Sequence, residues 1–522
     1  MRAWLDKYQH RIITTALLGG LSVCFFYVCL INLSMTPSFY CTDMYSDILY
    51  AVRAWESKSL FPDGWVFGNQ FYVIGTPVLS ALIYGIIGHA ARSMAIASVC
   101  MTIGIALSLL WMLKPVFSRL EEQLIVLLGL VVITAYYGDA VYSINGWQLF
   151  FTMCSYYACY LITSFLCFGF FLRRGEELTK SRIALLVLTF FLSFGAGIQS
   201  LRQTVIMVPS MLVLEAIAQL KAFTKHKKIQ LQPLLMTTSL SAANLLGVFV
   251  IRLLNVPQRE IFNAVYFLER DEIALSVSNT LKNMTELFLD REYFGMLLLV
   301  VIAFVVLNYF QSKWNKQELP THWNTLVLLF AFSVMGVALI DIFTQMTIRS
   351  IYYFMLFPLV AIFGAYAYRQ WKGGKVIVLV LLTMLVIGSF QSTVLPASKT
   401  AKASKNNISY EVSEMLIEKG YTTIYSGWNQ CEDIAIASGG KITAGFWNRS
   451  KDVFSPVMYL CDPSIYETES EKCVYYLRRD NLEIALQEAS ERGATMTLIA
   501  AYPEWGFWLY ESSQNLMTPQ DN

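Results

Sequence analysis

Long apolar runs divided by short polar ones set the plan of this chain. Runs of bilayer-crossing length, about 20 residues, recur at 12–35, 93–113, 122–137, 147–172, 182–199, 203–220, 232–255, 294–311, 324–343, 351–368 and 375–395. They predict about eleven transmembrane helices. A further apolar run, 71–89, carries Gly75 and Pro77 near its start. A break there, with a helix lying on or re-entering the outer membrane surface, suits it better than a crossing. In 45–61, Tyr45, Ile48, Leu49, Val52, Trp55 and Leu60 share one helical side, and Ser46, Arg53, Glu56 and Ser57 share another. The first outer loop, 36–92, is therefore predicted to hold two interfacial helices.

After "VLPASKTAKASKNN" the runs shorten and change period. "SYEVSEMLIEKG" and "DNLEIALQEASERG" read as helices, while "YTTIYS", "KITAGF", "CVYYLRR", "ATMTLIAAY" and "FWLYES" read as strands. The fold class expected is an all-α polytopic membrane bundle over 1–395, followed by a small C-terminal extracytoplasmic α/β domain over 396–522.

Composition strengthens the membrane reading. Of 522 residues, 56% are hydrophobic and 15% charged, too few charges to cover a soluble surface of that size. A net charge of +2 leaves no basic excess for nucleic acid, which is excluded as a partner class. Charge is instead sorted by loop. "MRAWLDKYQHR", "KPVFSRLEE", "RRGEELTKSR", "KAFTKHKK", "QSKWNKQE" and "RQWKGGK" are basic and fall on one side; the alternate loops, including the long one at 257–293, are mixed or acidic. By the positive-inside rule the N-terminus is cytoplasmic and the C-terminal domain outside. Six of ten cysteines lie in apolar runs, and no metal-binding spacing is present; Cys41, Cys431, Cys461 and Cys473 are the candidates for a disulfide on the outer side.

Ionisable groups at the outer ends of spans ask for a partner or a use. Asp43, Asp47, Asp139, Arg202, Arg252, Asp341 and Arg349 all occupy such places. For Asp47 the plainest role is a helix N-cap, for Asp43 a turn residue, and for Asp341 and Arg252 structural pairing. The sharper alternative is a carboxylate that deprotonates a hydroxyl or amine nucleophile, with arginines neutralising a phosphate leaving group. A divalent metal is a possible aid, held by Asp47 and Asp139 if anywhere. With four histidines and no P-loop, CxxC pair or GxSxG motif, nucleotide hydrolysis, thiol chemistry and serine hydrolysis are poor fits.

The order of parts resembles the GT-C class of integral-membrane glycosyltransferases, which includes protein O-mannosyltransferases and the aminoarabinose transferases of lipid A. "DMYSDILYAVRAWESKSLF" is similar to the class's acidic first outer loop, "NQFYVIGTPVLSALIYGIIG" to its second interfacial helix, and "IRSIYYFMLFPLVAIFGAYAY" to its late Arg-aromatic-proline segment. The resemblance implies that Asp47 leads as base, with Asp43 and Asp139 beside it. Arg349 and, by position, Arg202 would bind the donor phosphate. It also implies an inverting transfer of sugar from a polyprenyl-phosphate donor in membrane lipid to an acceptor outside a bacterial plasma membrane. The four-residue spacing of Asp43 and Asp47 departs from the closer acidic pair of near members. Competing expectations are a lipid-linked glycan flippase or polymerase, and a non-enzymatic membrane protein of envelope assembly.

Overall fold

The computed structural model describes residues 2–34, 36–139, 144–259, 266–289, 307, 310–311, 314, 321–345, 349–370, 373–403, 408–448 and 453–518. Among the described residues, seven helices are long and apolar enough to cross a membrane. They comprise α1 (within Arg2–Ser34), α4 (Ala90–Leu113), α8 (Lys180–Gln199), α9 (Leu201–His226), α10 (Leu231–Leu254) and the segments Trp323–Phe343 and Ser350–Gln370. The predicted runs 122–137, 147–172 and 375–395 contain shorter helices, α5 (Leu120–Thr134), α7 (Ala158–Leu172) and Gly374–Ser389. The run 294–311 lies almost wholly outside the described residues.

The run 147–172 is not one helix. A short α6 (Gly146–Phe150) ends in an irregular turn in which Met153 and Ser155 take positive φ, and α7 begins only at Ala158. Non-helical backbone amid apolar helices needs protein partners in place of water. Asn32 of α1 and Thr102 of α4 supply them. The Asn32 amide donates to the Phe151 carbonyl at 3.0 Å and accepts the Met153 N–H at 2.8 Å, and the Thr102 hydroxyl donates to Phe151 at 3.0 Å. At the other end of the bundle, His10 meets Glu121 at 2.7 Å and Arg369 meets Glu122 at 3.7 Å, tying α1, α5 and the Leu356–Gln370 helix together.

Small residues allow a close helix contact between α8 and α10. A Cβ on Gly197 would lie 1.9 Å from the Asn244 carbonyl oxygen, and Asn244 donates to the Ser193 carbonyl at 2.9 Å. Gly197→Ala must push the two backbones apart. It is expected to destabilise the protein by about 1–3 kcal/mol, seen as a lower midpoint of thermal unfolding in detergent. An unchanged midpoint would mean that α8 and α10 do not meet this closely.

Two helices occupy the first loop, α2 (Thr42–Ser57) and α3 (Thr76–Ile87). Gly75, at φ +102° just before α3, and Pro77 in its first turn account for the break in the apolar run. α2 does not present its apolar side to lipid alone: Tyr45 is 3% exposed and packs with the C-terminal segment's core, beside Ile424, Ile442, Ala444 and Phe446.

That segment carries a five-stranded sheet of β3 (Thr423–Gly427), β4 (Thr443–Trp447), β5 (Cys473–Arg478), β6 (Met496–Tyr502) and β7 (Phe507–Ser512), in the order β4-β3-β5-β7-β6. The first three strands run parallel, while β7 is antiparallel to both β5 and β6. Earlier in the chain, β1 (Gly138–Asp139) and β2 (Ile144–Asn145) form a separate two-stranded ribbon. All ten cysteines are free, and the candidates Cys41, Cys431, Cys461 and Cys473 form no disulfide with one another.

Candidate functional site

α2 places Asp43 in its first turn and Asp47 one turn later on the same face. Neither is the cap. Cys41 stands at the N-cap without a side-chain hydrogen bond, so the capping role expected of Asp47 does not apply, and Asp43 belongs to the helix rather than to a solvated turn. Asp47 is 0% exposed, and among the described residues both its carboxylate oxygens lack a hydrogen-bond partner. The Tyr72 hydroxyl and Cys154 thiol lie close enough to ease its ionisation, but neither is aligned as a hydrogen bond. Around it the chain is held firmly. The Tyr50 hydroxyl donates to the carbonyls of Leu60 at 3.0 Å and Tyr72 at 2.9 Å, and Tyr50 and Tyr72 pack with ring centroids 4.6 Å apart. The Cys154 thiol donates to the Met44 carbonyl at 3.4 Å. Tyr156, also close to Asp47, has a buried hydroxyl without a partner.

Burial dominates the electrostatics. Desolvation raises the Asp47 carboxyl well above the ordinary aspartate value, and the neighbouring Asp43 raises it further. Asp43 is also pushed up by burial, with Arg349 acting in the opposite sense. Asp43 itself is only partly buried.

Arg202 is also partly buried. It is the second residue of α9, whose N-cap Ser200 accepts the Arg202 N–H at 3.2 Å. Its guanidinium lies over the rings of Tyr352 at 4.5 Å, Tyr157 at 5.0 Å and Tyr160 at 5.5 Å. Among the described residues it has no carboxylate within ion-pair distance. Arg349 caps the short 3₁₀ turn Ser350–Tyr353 that carries Tyr352, and the fields of both arginines meet at Tyr157. Asp47, Asp43, Arg349 and Arg202 thus follow one another through shared neighbours.

The remaining charges diverge from this group. Asp341 accepts hydrogen bonds from the Tyr353 hydroxyl at 2.8 Å and Asn283 at 3.2 Å, and no described arginine pairs with it. Arg252 is exposed near the end of α10. Asp139 has its backbone in β1, paired with Ile144, and its side chain lies outside the described residues. The tyrosine cage was not legible as a site in the sequence, although "CSYYACY" and "RSIYYF" carry tyrosines at an unusual density for apolar runs. As to a metal, no group of three His, Cys, Asp or Glu converges among the described residues. Asp43 and Asp47 alone are a thin donor set for one.

No family model matches the sequence, and no curated protein matches it. Among solved structures, ArnT from Cupriavidus metallidurans bound to undecaprenyl phosphate is similar with a TM-score of 0.50 at 11% identity, over 96% of this chain and 99% of that one. The same protein in its apo state gives 0.49 at 11% identity, over 96% and 100%. The oligosaccharyltransferase of Archaeoglobus fulgidus, in complex with zinc and sulfate, gives 0.44 at 12% identity, over 94% and 73%. The first match, spanning nearly all of both chains, gives this protein the fold of ArnT, in agreement with the resemblance carried by the order of its parts.

Proposed function

We propose that this GT-C fold transfers a glycosyl group from a polyprenyl-phosphate donor to an acceptor outside the cytoplasm. The observation that carries the reading is the sequence of neighbours Asp47, Asp43, Arg349 and Arg202, in which unpartnered carboxylate oxygens and a guanidinium without a carboxylate share one region. A buried carboxylate and a partly buried guanidinium without a carboxylate among the described residues are each costly, and a substrate that accepts from the arginine while donating to the carboxylate relieves both.

In the reaction proposed, the acceptor's hydroxyl or amine donates its proton to Asp47 as its oxygen or nitrogen bonds to the anomeric carbon. The bond from that carbon to the phosphate oxygen breaks, and its electron pair stays on the phosphate, where Arg349 and Arg202 stabilise the added charge. Attack opposite the leaving phosphate inverts the anomeric centre. Asp43 neighbours Asp47 and feels Arg349, and its charge raises the Asp47 carboxyl and keeps it basic. Asp139 is retained as a third carboxylate on its place in the loop after α5. No step is routed through a metal. The proposed setting is a bacterial plasma membrane crossed about eleven times, with a cytoplasmic N-terminus and the C-terminal sheet outside. The undecaprenyl phosphate in the structural neighbour is consistent with a polyprenyl carrier.

The test is transfer by the purified full chain in lipid nanodiscs from synthetic polyprenyl-phosphate donors bearing radiolabelled sugars, with envelope extract as acceptor. Label is expected to move into extract components as free polyprenyl phosphate accumulates. Failure to consume any donor in the panel would overturn the reading.

A further inference from the structure

The first N–H groups of an α-helix have no partner within the helix, and α2, which carries both carboxylates, has no cap from its own N-cap residue. Its partner comes from 387 residues away. The Asn429 side-chain oxygen accepts the Thr42 N–H at 2.9 Å, and the Thr42 hydroxyl accepts the Asn429 N–H at 2.9 Å. Asn429 is in the left-handed region, at φ +60°, which asparagine tolerates better than most residues. The turn that holds it follows β3 and is fixed on both sides. The Gly427 N–H donates to the Gln430 side chain at 3.2 Å, and the Trp428 N–H donates to the Trp447 carbonyl at the end of β4 at 3.2 Å.

A second contact sets the rotation of α2 about its axis. The Tyr45 hydroxyl accepts the Ala444 N–H of β4 at 2.9 Å. Thr42 and Tyr45 are three residues apart and share one face, while Asp43 and Asp47 are four apart and share the next. Fixing the first face therefore fixes where the second one points. At the far end of α2, Arg53 pairs with Asp462 at 3.3 Å, and the Val66 N–H donates to the Cys461 carbonyl at 3.0 Å.

We infer that Asn429 is a positioning residue for the proposed reaction, and that the sheet-bearing C-terminal segment completes the active site by capping and orienting the acidic helix. This rests on the reading above, in which Asp47 is the base. Neither Asn429 nor Thr42 needs to touch substrate.

Two measurements on the full-length protein test it, with the variants Asn429→Gly, Thr42→Val and Thr42→Ser. Glycine keeps the backbone conformation and removes the cap; serine keeps the hydroxyl. Hydrogen exchange of the first turn of α2 is expected to quicken about 2- to 30-fold in N429G and T42V and to stay near wild type in T42S. In the transfer assay, kcat is expected to fall about 10- to 100-fold in N429G and T42V, with the donor KM unchanged and T42S again near wild type. Should N429G not fold, Tyr45→Phe, which keeps the packed ring and removes the acceptor for Ala444, takes its place with the same expected loss in kcat. Unaltered exchange overturns the cap. Quickened exchange with unaltered kcat, or a loss confined to KM, overturns the positioning role. If the wild-type protein transfers no sugar, the proposed function fails, while hydrogen exchange still decides whether Asn429 caps α2.

Discussion

Asp47→Asn is expected to lower glycosyl transfer by about 10²–10⁴-fold, the range of a general base, and at the same time to raise the thermal stability of the protein at pH 8. The two effects share one cause. A wholly buried carboxylate without a hydrogen-bond partner among the described residues gives up its proton less readily than in the unfolded chain, so its folded-state value lies well above that of the unfolded chain. Between the ordinary aspartate value and the raised one, the folded state binds more protons than the unfolded state, and stability falls as pH rises through that window. This is the reverse of the usual ion-paired aspartate. Asparagine has nearly the same shape and no charge to desolvate, so the variant escapes the fall. The expected signature is a thermal midpoint for D47N above wild type at pH 8, with the gap closing towards pH 4. Loss of transfer with no stability gain at pH 8 would mean that the carboxylate is not buried as described. Full transfer by the variant would remove Asp47 from the chemistry.

Arg202 gives the second large expectation. Its guanidinium is stacked among three tyrosine rings and has no carboxylate within ion-pair distance among the described residues, so removing it leaves none of these without a partner. Arg202→Gln is therefore expected to leave the thermal midpoint close to wild type. If the guanidinium receives the donor phosphate, kcat/KM for the polyprenyl-phosphate donor should fall about 10- to 150-fold, the equivalent of one charge-assisted hydrogen bond of about 1.5–3 kcal/mol. Arg202→Lys should recover little of this, because an ammonium keeps the charge but loses the planar fork and the stacking on Tyr157, Tyr160 and Tyr352. Donor kinetics unchanged in R202Q would exclude the arginine from phosphate recognition. A collapse of folding would instead mark it as a structural pillar of the cage.

Several parts of this architecture were legible in the sequence because they depend on local period. α2 and α3 follow the expected two-helix first loop, and all five strands of the C-terminal sheet fall on the predicted segments. What was not legible depends on partners far along the chain. The apolar run through "WQLFFTMCSYYACYLITSFL" gives no local sign of the break at 151–157, because its exposed backbone groups are satisfied by Asn32 and Thr102. A tyrosine in such a run counts as one more hydrophobe, so the ring cage around Arg202 was invisible to pattern. The charge census also included Asp341, but nearby Tyr353 and Asn283 turn it into an internal anchor. Asp43 and Asp47 could be found from their spacing. The absence of any hydrogen-bond partner for Asp47 could not.

The link between Thr42 and Asn429 also sets an order of events in biosynthesis. α2 leaves the ribosome early, whereas the residue that caps it is made 387 positions later. At roughly 5–20 residues per second, the nascent helix waits on the order of 20–80 s for its partner. A ribosome that stalls within that interval leaves the membrane helices made so far in place, but with an acidic helix that has not yet been oriented. On this account the proposed activity waits for the C-terminal sheet to fold, and termination before Asn429 leaves a bundle whose acidic helix is not oriented.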